Sequence, residues 1–101
     1  MTAPMGIDAP VVAMAAATET AGAGTMAGTT AGASAPISAI VGPGVEDASL
    51  EAAAGFSARG AETAAMMAQL TMVRGLFAET MASSGLAYTA TDALNQAALA
   101  I

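Results

Sequence analysis

The stretch VEDASLEAAAGFSARGAETAAMMAQLTMVRGLFAETM, residues 45–81, decides the fold of this chain. If one step is allowed at Arg59, its larger side chains recur at an average spacing that matches the 3.6-residue period of an α-helix. This pattern predicts a long amphipathic helix with one bulky stripe. The stripe consists of Val45, Ala48, Ala52, Phe56, Thr63, Met66 or Met67, Leu70, Val73, Phe77 and Met81.

A second face of the same helix carries small residues, which allow another helix to approach closely. We expect this small face to pack against a helix of the same chain. The bulky stripe then has no partner within the chain, and an additional layer of helices is needed to cover it. The small face comprises Ala53, Ser57, Ala61, Ala64, Ala65 and Ala68.

Upstream of this stretch, the sequence predicts a turn and, before it, a first helix. Pro36 and the Gly-Pro-Gly sequence at residues 42–44 are strong helix breakers, so we place the turn at residues 35–44. Asp8 followed by Ala9 and Pro10 is typical of a helix start, because Asp caps the first turn and Pro tolerates it.

These signals predict a flexible arm at residues 1–8, helix one at about residues 9–34, helix two at about residues 45–90, and a C-terminal tail at residues 96–101. Helix two would be about 60 Å long and helix one about 40 Å, so part of helix two must project beyond helix one. The end of helix two stays open at this point, because Gly85 either ends it or lies within it.

Three glycines at four-residue spacing, Gly24, Gly28 and Gly32, form a repeated GxxxG pattern. In a lipid bilayer this pattern favours dimerisation of spanning helices. Thr and Ser residues lie among the glycines, so we favour close helix–helix packing outside a membrane.

The composition excludes several functions. The 101 residues include no Cys, and Lys and Arg together number two against eight Asp and Glu, which gives a net charge of −6. Because such a chain repels phosphate backbones, we expect no nucleic-acid binding. His and Lys are absent as well, so the usual general base and metal ligand are missing. We therefore expect no enzyme, no cofactor and no metal site.

The acidic residues Glu46, Asp47 and Glu51 could in principle hold a metal ion, but they lie at a predicted helix start. Carboxylates at that position stabilise the helix dipole, which is the interpretation we adopt. Residues 1–20 have no basic residue before their apolar run, so we expect no Sec-type signal peptide.

Thirty residues are Ala, and few larger apolar side chains are available for a core. Ordering the chain costs roughly 1–2 kcal/mol per residue, and such a core compensates poorly. The mean hydropathy of +0.64 is nevertheless too high for a disordered chain. We infer that the chain buries its apolar surface against another protein.

Tyr88, the single tyrosine, precedes Asp92 by four residues, so on a helix the two share one face. Spacing alone favours a tyrosine that shields the end of a bundle beside an unrelated carboxylate. Arg59 also allows two interpretations: it pairs with a carboxylate of a partner, or it is solvated.

Taken in order, several segments resemble the PE family, the partners of PPE proteins in mycobacterial type VII (ESX) secretion. The likeness runs from about residue 9 to 95 and includes a YxxxD/E motif at Tyr88 and Asp92. One departure is Val11, which stands where the family has the Glu of its Pro-Glu pair. The other segments are Ala9-Pro10, Thr18-Glu19, Ala21-Gly22-x-Gly24, Gly44-Val45-Glu46-Asp47-Ala48-Ser49 and Phe56-Ser57-Ala58-Arg59-Gly60.

The resemblance implies an all-α fold, an antiparallel two-helix hairpin that completes a four-helix bundle with a PPE partner. It implies export by type VII secretion to the cell envelope or outside, with Tyr88 and Asp92 as part of a signal that a Trp-x-Gly turn of the partner completes. An EspG-type chaperone would act indirectly, by binding that partner. We expect the partner interface at Phe56, Met67, Leu70, Val73, Phe77 and Met81.

The main alternative is a self-associating homodimeric helical bundle with a structural role and no part in secretion. A surface-active helix is less compatible with the sequence, because such helices carry Lys and Arg on their polar face.

Overall fold

The protein is described by a computed structural model that covers residues 6–100. Two helices follow each other, α1 at Ala9–Ser38 and α2 at Asp47–Leu99. They lie side by side and antiparallel in a rod that measures 84 × 17 × 16 Å. The two long helices confirm the all-helical hairpin in the predicted fold class.

Helix α1 begins where the sequence indicates. The carboxylate of Asp8 accepts a hydrogen bond from the backbone N–H of Val11 at 3.3 Å. Pro10 occupies the first turn, where its missing N–H leaves no intrahelical bond unmade. Residues 6 and 7 precede this cap, and residues 1–5 of the predicted N-terminal arm lie outside the described residues.

The end of α1 differs from the expected boundary at residue 34, because the helix continues through Pro36 to Ser38. Pro36 removes the N–H that would bond to Gly32, but the last turn still closes through a 3.1 Å bond from the N–H of Ala39 to the carbonyl of Ala35. Tertiary packing of this last turn against α2 outweighs the local cost of the proline.

The connection between the helices is tied to α2. The backbone N–H of Ile40 donates to the hydroxyl of Ser57 at 3.0 Å. Helix α2 then starts at Asp47, with Glu46 as its N-cap residue. The hydroxyl of Ser49 donates to Oε2 of Glu46 at 3.0 Å, which holds the glutamate side chain over the first turn.

Helix α2 continues past Gly85 and past the expected end at residue 90, reaching Leu99. Residues 86–99 contain neither Gly nor Pro and are rich in Ala, so nothing in this segment ends the helix. The helix includes most of the predicted C-terminal tail, of which Ile101 lies outside the described residues.

The two helices meet along a line of residues that we call the seam. On both helices its positions recur in alternating steps of three and four residues, which is the spacing of a coiled coil. All of them are buried or half-buried. The seam consists of Ala9, Val12, Ala16, Glu19, Ala23, Met26, Thr30, Ala33 and Ile37 on α1, and of Ala53, Ser57, Gly60, Ala64, Met67, Thr71, Arg74, Ala78, Met81 and Gly85 on α2.

Two seam glycines bring the backbones close together. A Cβ atom at Gly60 would collide with the main-chain carbonyl of Ile37, and one at Gly85 would lie 3.2 Å from Cγ1 of Val12. The obstacle at Gly60 is backbone, which cannot rotate away as a side chain can. Gly60 is therefore required for the approach of α1 and α2 at the loop end of the hairpin.

The small face predicted from the sequence is partly correct. Ala53, Ser57 and Ala64 lie on the seam, whereas Ala61, Ala65 and Ala68 are exposed. The predicted set of six spans too wide an arc, because each helix of a hairpin buries only a narrow stripe. Among residues 6–100, the buried apolar side chains are those of Ala16 and Ala78. The hairpin thus buries no large side chain completely within this range.

The different surroundings of two glycines on α2 predict opposite effects of the same substitution. Gly60→Ala should destabilise the protein by about 1–3 kcal/mol, because its methyl group has no room. A methyl group at Gly55 would meet no atom within 4 Å, so Gly55→Ala should stabilise the protein by about 0.5–1 kcal/mol. Thermal unfolding followed by far-UV circular dichroism measures both, and equal shifts would contradict the packing described.

Candidate protein-interaction surface

A second stripe on α2 lies one residue before the seam, so it is rotated from the seam by about 100° around the helix. Its large members are Phe56, Met66, Leu70, Val73 and Phe77, which we call the apolar flank. They are between 54% and 66% exposed. A helix with two such stripes roughly at right angles is suited to a corner of a four-helix bundle, where it contacts two neighbours.

The structure divides the predicted interface residues into two groups. Phe56, Leu70, Val73 and Phe77 lie on the apolar flank. Met67 and Met81 instead lie on the seam, half-buried against α1. The average helical period could not separate adjacent positions such as 66 and 67, whereas contact with α1 does.

A groove of about 300 Å³ runs between the helices on the side of the apolar flank. Met26, Met67 and Leu70 form most of its apolar wall. Arg74 is its charged residue. The remaining lining residues are Gly22, Thr25, Thr29 and Thr30.

An ion pair crosses the seam next to this groove. Nε of Arg74 donates to Oε2 of Glu19 at 2.9 Å, and Nη1 lies 3.5 Å from the sulfur of Met26. The side chain of Arg74 is 37% exposed and that of Glu19 is 27% exposed. A side chain at Gly22 would displace the guanidinium, so the glycine leaves space for this pair. The amino-acid sequence alone did not predict this contact, although both residues fall on seam positions.

Arg59 makes a different kind of contact. Its Nη1 lies 3.2 Å from Oε2 of Glu62, one turn along α2, and both side chains are mostly exposed. An exposed pair of this kind contributes about 0–1 kcal/mol. The structure therefore gives Arg59 an intrachain neighbour while leaving its guanidinium accessible.

Tyr88 and Asp92 follow Gly85 at the same alternating spacing of three and four residues that defines the seam. Ala9, the first residue of α1, lies beside Gly85, so α1 no longer covers this part of α2. Residues 86–99 thus form an overhang about 21 Å long. Tyr88 is 42% exposed, and Asp92 is exposed. Within residues 6–100 neither side chain makes a hydrogen bond, so both are available to other molecules.

The glycines of the GxxxG pattern lie away from α2. Cβ atoms placed at Gly24, Gly28 and Gly32 would meet nothing within 4 Å. Within the hairpin, the seam uses other positions of α1. Close packing at these three glycines stays a prediction for a helix of another molecule.

The described part of the chain offers neither a metal cluster nor a membrane span. Residues 6–100 contain no group of three or more His, Cys, Asp or Glu side chains that could hold a metal ion. In the same range, neither helix has a segment both long and apolar enough to cross a bilayer.

The hairpin and its exposed apolar flank are typical of small helical proteins that contact other proteins. The sequence model of the PE family matches residues 7–95, which include both arms of the hairpin and the Tyr88–Asp92 motif. The chain belongs to the PE family. Comparisons with curated proteins and with solved structures find no match.

The two arginine–glutamate pairs should differ in their coupling energies, because one is partly shielded and the other is exposed. In a double-mutant cycle, Arg74→Met with Glu19→Gln should show a coupling of about 1 kcal/mol, because this pair is partly shielded by both helices. The matched cycle of Arg59→Met with Glu62→Gln should give about 0.3–0.5 kcal/mol. Urea unfolding of the protein in its native assembly supplies the energies. A larger coupling for the exposed pair would contradict the assignment.

Proposed function

We propose that this chain is a non-catalytic PE protein that pairs with a PPE-family protein and is exported with it by type VII (ESX) secretion. The observation that carries the proposal is the exposed apolar flank on a hairpin whose seam buries only small side chains. Membership of the PE family supports the same interpretation.

The energetics favour an obligate partner. Burying a Phe or Leu side chain contributes about 1.5–3 kcal/mol, and burying an Ala methyl contributes less than about 1 kcal/mol. The buried apolar side chains among the described residues are those of Ala16 and Ala78, while Phe56, Leu70 and Phe77 are exposed. A partner that covers the flank would therefore supply apolar burial that the hairpin lacks.

The geometry favours a four-helix bundle as the form of the pair. The seam of α2 contacts α1, and the apolar flank points about 100° away from it. Two helices of a partner, one on α2 and one on α1, would cover the flank and the groove together. Val11 is exposed on the α1 side of this surface. The apolar residue in place of the family's Glu extends the surface toward the start of α1.

The overhang is the proposed location of the export signal. Tyr88 and Asp92 occupy one face of a continuous helix, outside the part that α1 covers. In our proposal, the secretion machinery recognises these two side chains together with a turn of the partner. An EspG-type chaperone acts on the partner, and the pair is released to the cell envelope or outside.

Pairing is tested by a substitution on the apolar flank. Phe77→Ala should weaken the complex with a PPE-family protein by about 3–5 kcal/mol, because a buried aromatic side chain is lost. Met72 is also a large apolar residue and is 67% exposed, but it lies on the other side of α2, so Met72→Ala is the control. We expect it to change the affinity by less than about 0.5 kcal/mol.

Calorimetric titration and the native mass of the chain alone complete this test. Equal effects of Phe77→Ala and Met72→Ala would remove the flank from the interface. A stable, well-folded homodimer of the isolated chain would favour the alternative, a self-associating bundle with a structural role.

The export signal is tested separately. Tyr88→Ala and Asp92→Ala should each abolish export of the pair while leaving its formation intact, because both residues lie beyond α1. Asn95→Ala, also on the overhang, should be exported normally. Immunoblots of culture filtrate and cell lysate measure export, and co-purification measures pairing. Normal export of the Tyr88 and Asp92 variants would refute the assignment.

A further inference from the structure

Methionine is the chemically reactive residue of this chain. Its eight methionines outnumber each of the other large apolar residue types, and the sequence contains no Cys, His or Trp. Oxidants convert the methionine thioether to the sulfoxide, which changes a flexible apolar side chain into a polar one. In a protein without cysteine, the methionine sulfurs are therefore the first groups that an oxidant modifies.

The methionines among residues 6–100 fall into two groups by exposure. One group lies half-buried on the seam and consists of Met26, Met67 and Met81. The other group is between 62% and 69% exposed and consists of Met14, Met66 and Met72. Because oxidation requires access to the sulfur, the exposed group is the more susceptible one.

Of the exposed methionines, Met66 is the one that lies on the apolar flank, one position before Met67 of the seam. Met72 lies on the other side of α2. Met14 is two positions before the buried Ala16, so it is rotated about 200° from it and faces away from α2. Oxidation at Met66 therefore alters the surface that the proposed partner contacts, whereas oxidation at Met14 or Met72 leaves that surface unchanged.

Two other methionines, Met26 and Met67, line the groove beside the flank. Nη1 of Arg74 lies 3.5 Å from the sulfur of Met26. A donor that points at the sulfur occupies a lone pair that would otherwise attack the oxidant, because the thioether is a weak acceptor. Partial burial and this contact protect the groove methionines, which leaves Met66 as the open sulfur on this side of the hairpin.

We propose that Met66 is an oxidation site that controls pairing: its sulfoxide makes the apolar flank polar and prevents the partner from binding. The inference rests on the proposed function, since the partner is that of the proposed pair. The oxidant is a peroxide such as hydrogen peroxide. A lone pair of the sulfur attacks one peroxide oxygen, an S–O bond forms, the O–O bond breaks, and the second oxygen leaves as water. Methionine sulfoxide reductases reverse the modification.

Burial gives the sulfoxide its effect on pairing. On the free chain, water solvates the sulfoxide oxygen. A partner that covers the flank removes this water, and burying a polar group without a hydrogen bond is unfavourable. The unmodified thioether instead adapts to an apolar surface. The same contact protects Met66 once the pair has formed, so oxidation acts on the chain before pairing.

Peroxide treatment followed by peptide mass mapping tests the site. The probe is the purified pair with a PPE-family protein from the same genome, compared with the full chain alone. We expect pairing to slow the oxidation of Met66 by roughly tenfold or more, since the partner covers its sulfur. Met14 and Met72 are the internal controls, and their rates should change by less than about twofold.

Substitutions test the effect on pairing. Met66→Gln, a polar side chain of similar length, should weaken the pair by roughly tenfold or more, and the control Met72→Gln by less than about twofold. Met66→Leu keeps the flank apolar but lacks the sulfur. This variant should pair normally before and after peroxide treatment, whereas the treated unmodified chain should lose affinity. A methionine sulfoxide reductase should restore the affinity of that treated chain.

Several results overturn this oxidation site without touching the proposed function. If peroxide abolishes pairing of Met66→Leu as it does that of the unmodified chain, another methionine is responsible. If Met66→Gln pairs as tightly as the unmodified chain, the interface tolerates a polar group there. If Met66 reacts as fast in the pair as in the chain alone, the partner does not cover it. If no PPE-family protein pairs with the untreated chain, the proposed function itself fails, and the control of pairing fails with it.

Discussion

The backbones of α1 and α2 approach each other closely along the seam, and this approach sets how the hairpin packs. Gly60 faces the main-chain carbonyl of Ile37, and Gly85 faces Val12, so small residues hold both ends of the hairpin together. A seam in which most side chains are small brings the helices near each other but removes little apolar area from water. The same feature that makes the hairpin narrow therefore leaves it with a thin core.

The thin core explains the arrangement of the remaining apolar residues. Phe56, Leu70 and Phe77 lie one position before the seam, where α1 cannot cover them. Because thirty residues are alanines, leaving both phenylalanines outside the contact between α1 and α2 is an unfavourable arrangement for a protein that folds alone. It is a favourable one for a protein whose core is completed by another chain, because the large side chains then contribute at the interface.

Most of the helical pattern was predictable from the amino-acid sequence, but the finer register of the two helices was not. Asp8 and Pro10 identified the start of α1 correctly, since capping is a local interaction. Pro36 suggested too early an end for α1, and Gly85 left the end of α2 open. The effect of each residue depends on its packing against the neighbouring helix. Met67 was grouped with the exposed stripe although it belongs to the seam, and a difference of one position corresponds to about 100° around a helix.

The amino-acid sequence is enough to predict that two helices form, where the first begins, and that one apolar stripe has no partner within the chain. Helical period, helix caps and helix-breaking residues act over a few residues, so they can be recognised in the sequence alone. The packing of the two helices in three dimensions shows which stripe of each helix faces the other. It also brings Arg74 to Glu19, 55 residues away in sequence, and places Tyr88 and Asp92 beyond the end of α1. These features depend on the alignment of two distant segments, and that alignment is set by where their backbones can approach most closely.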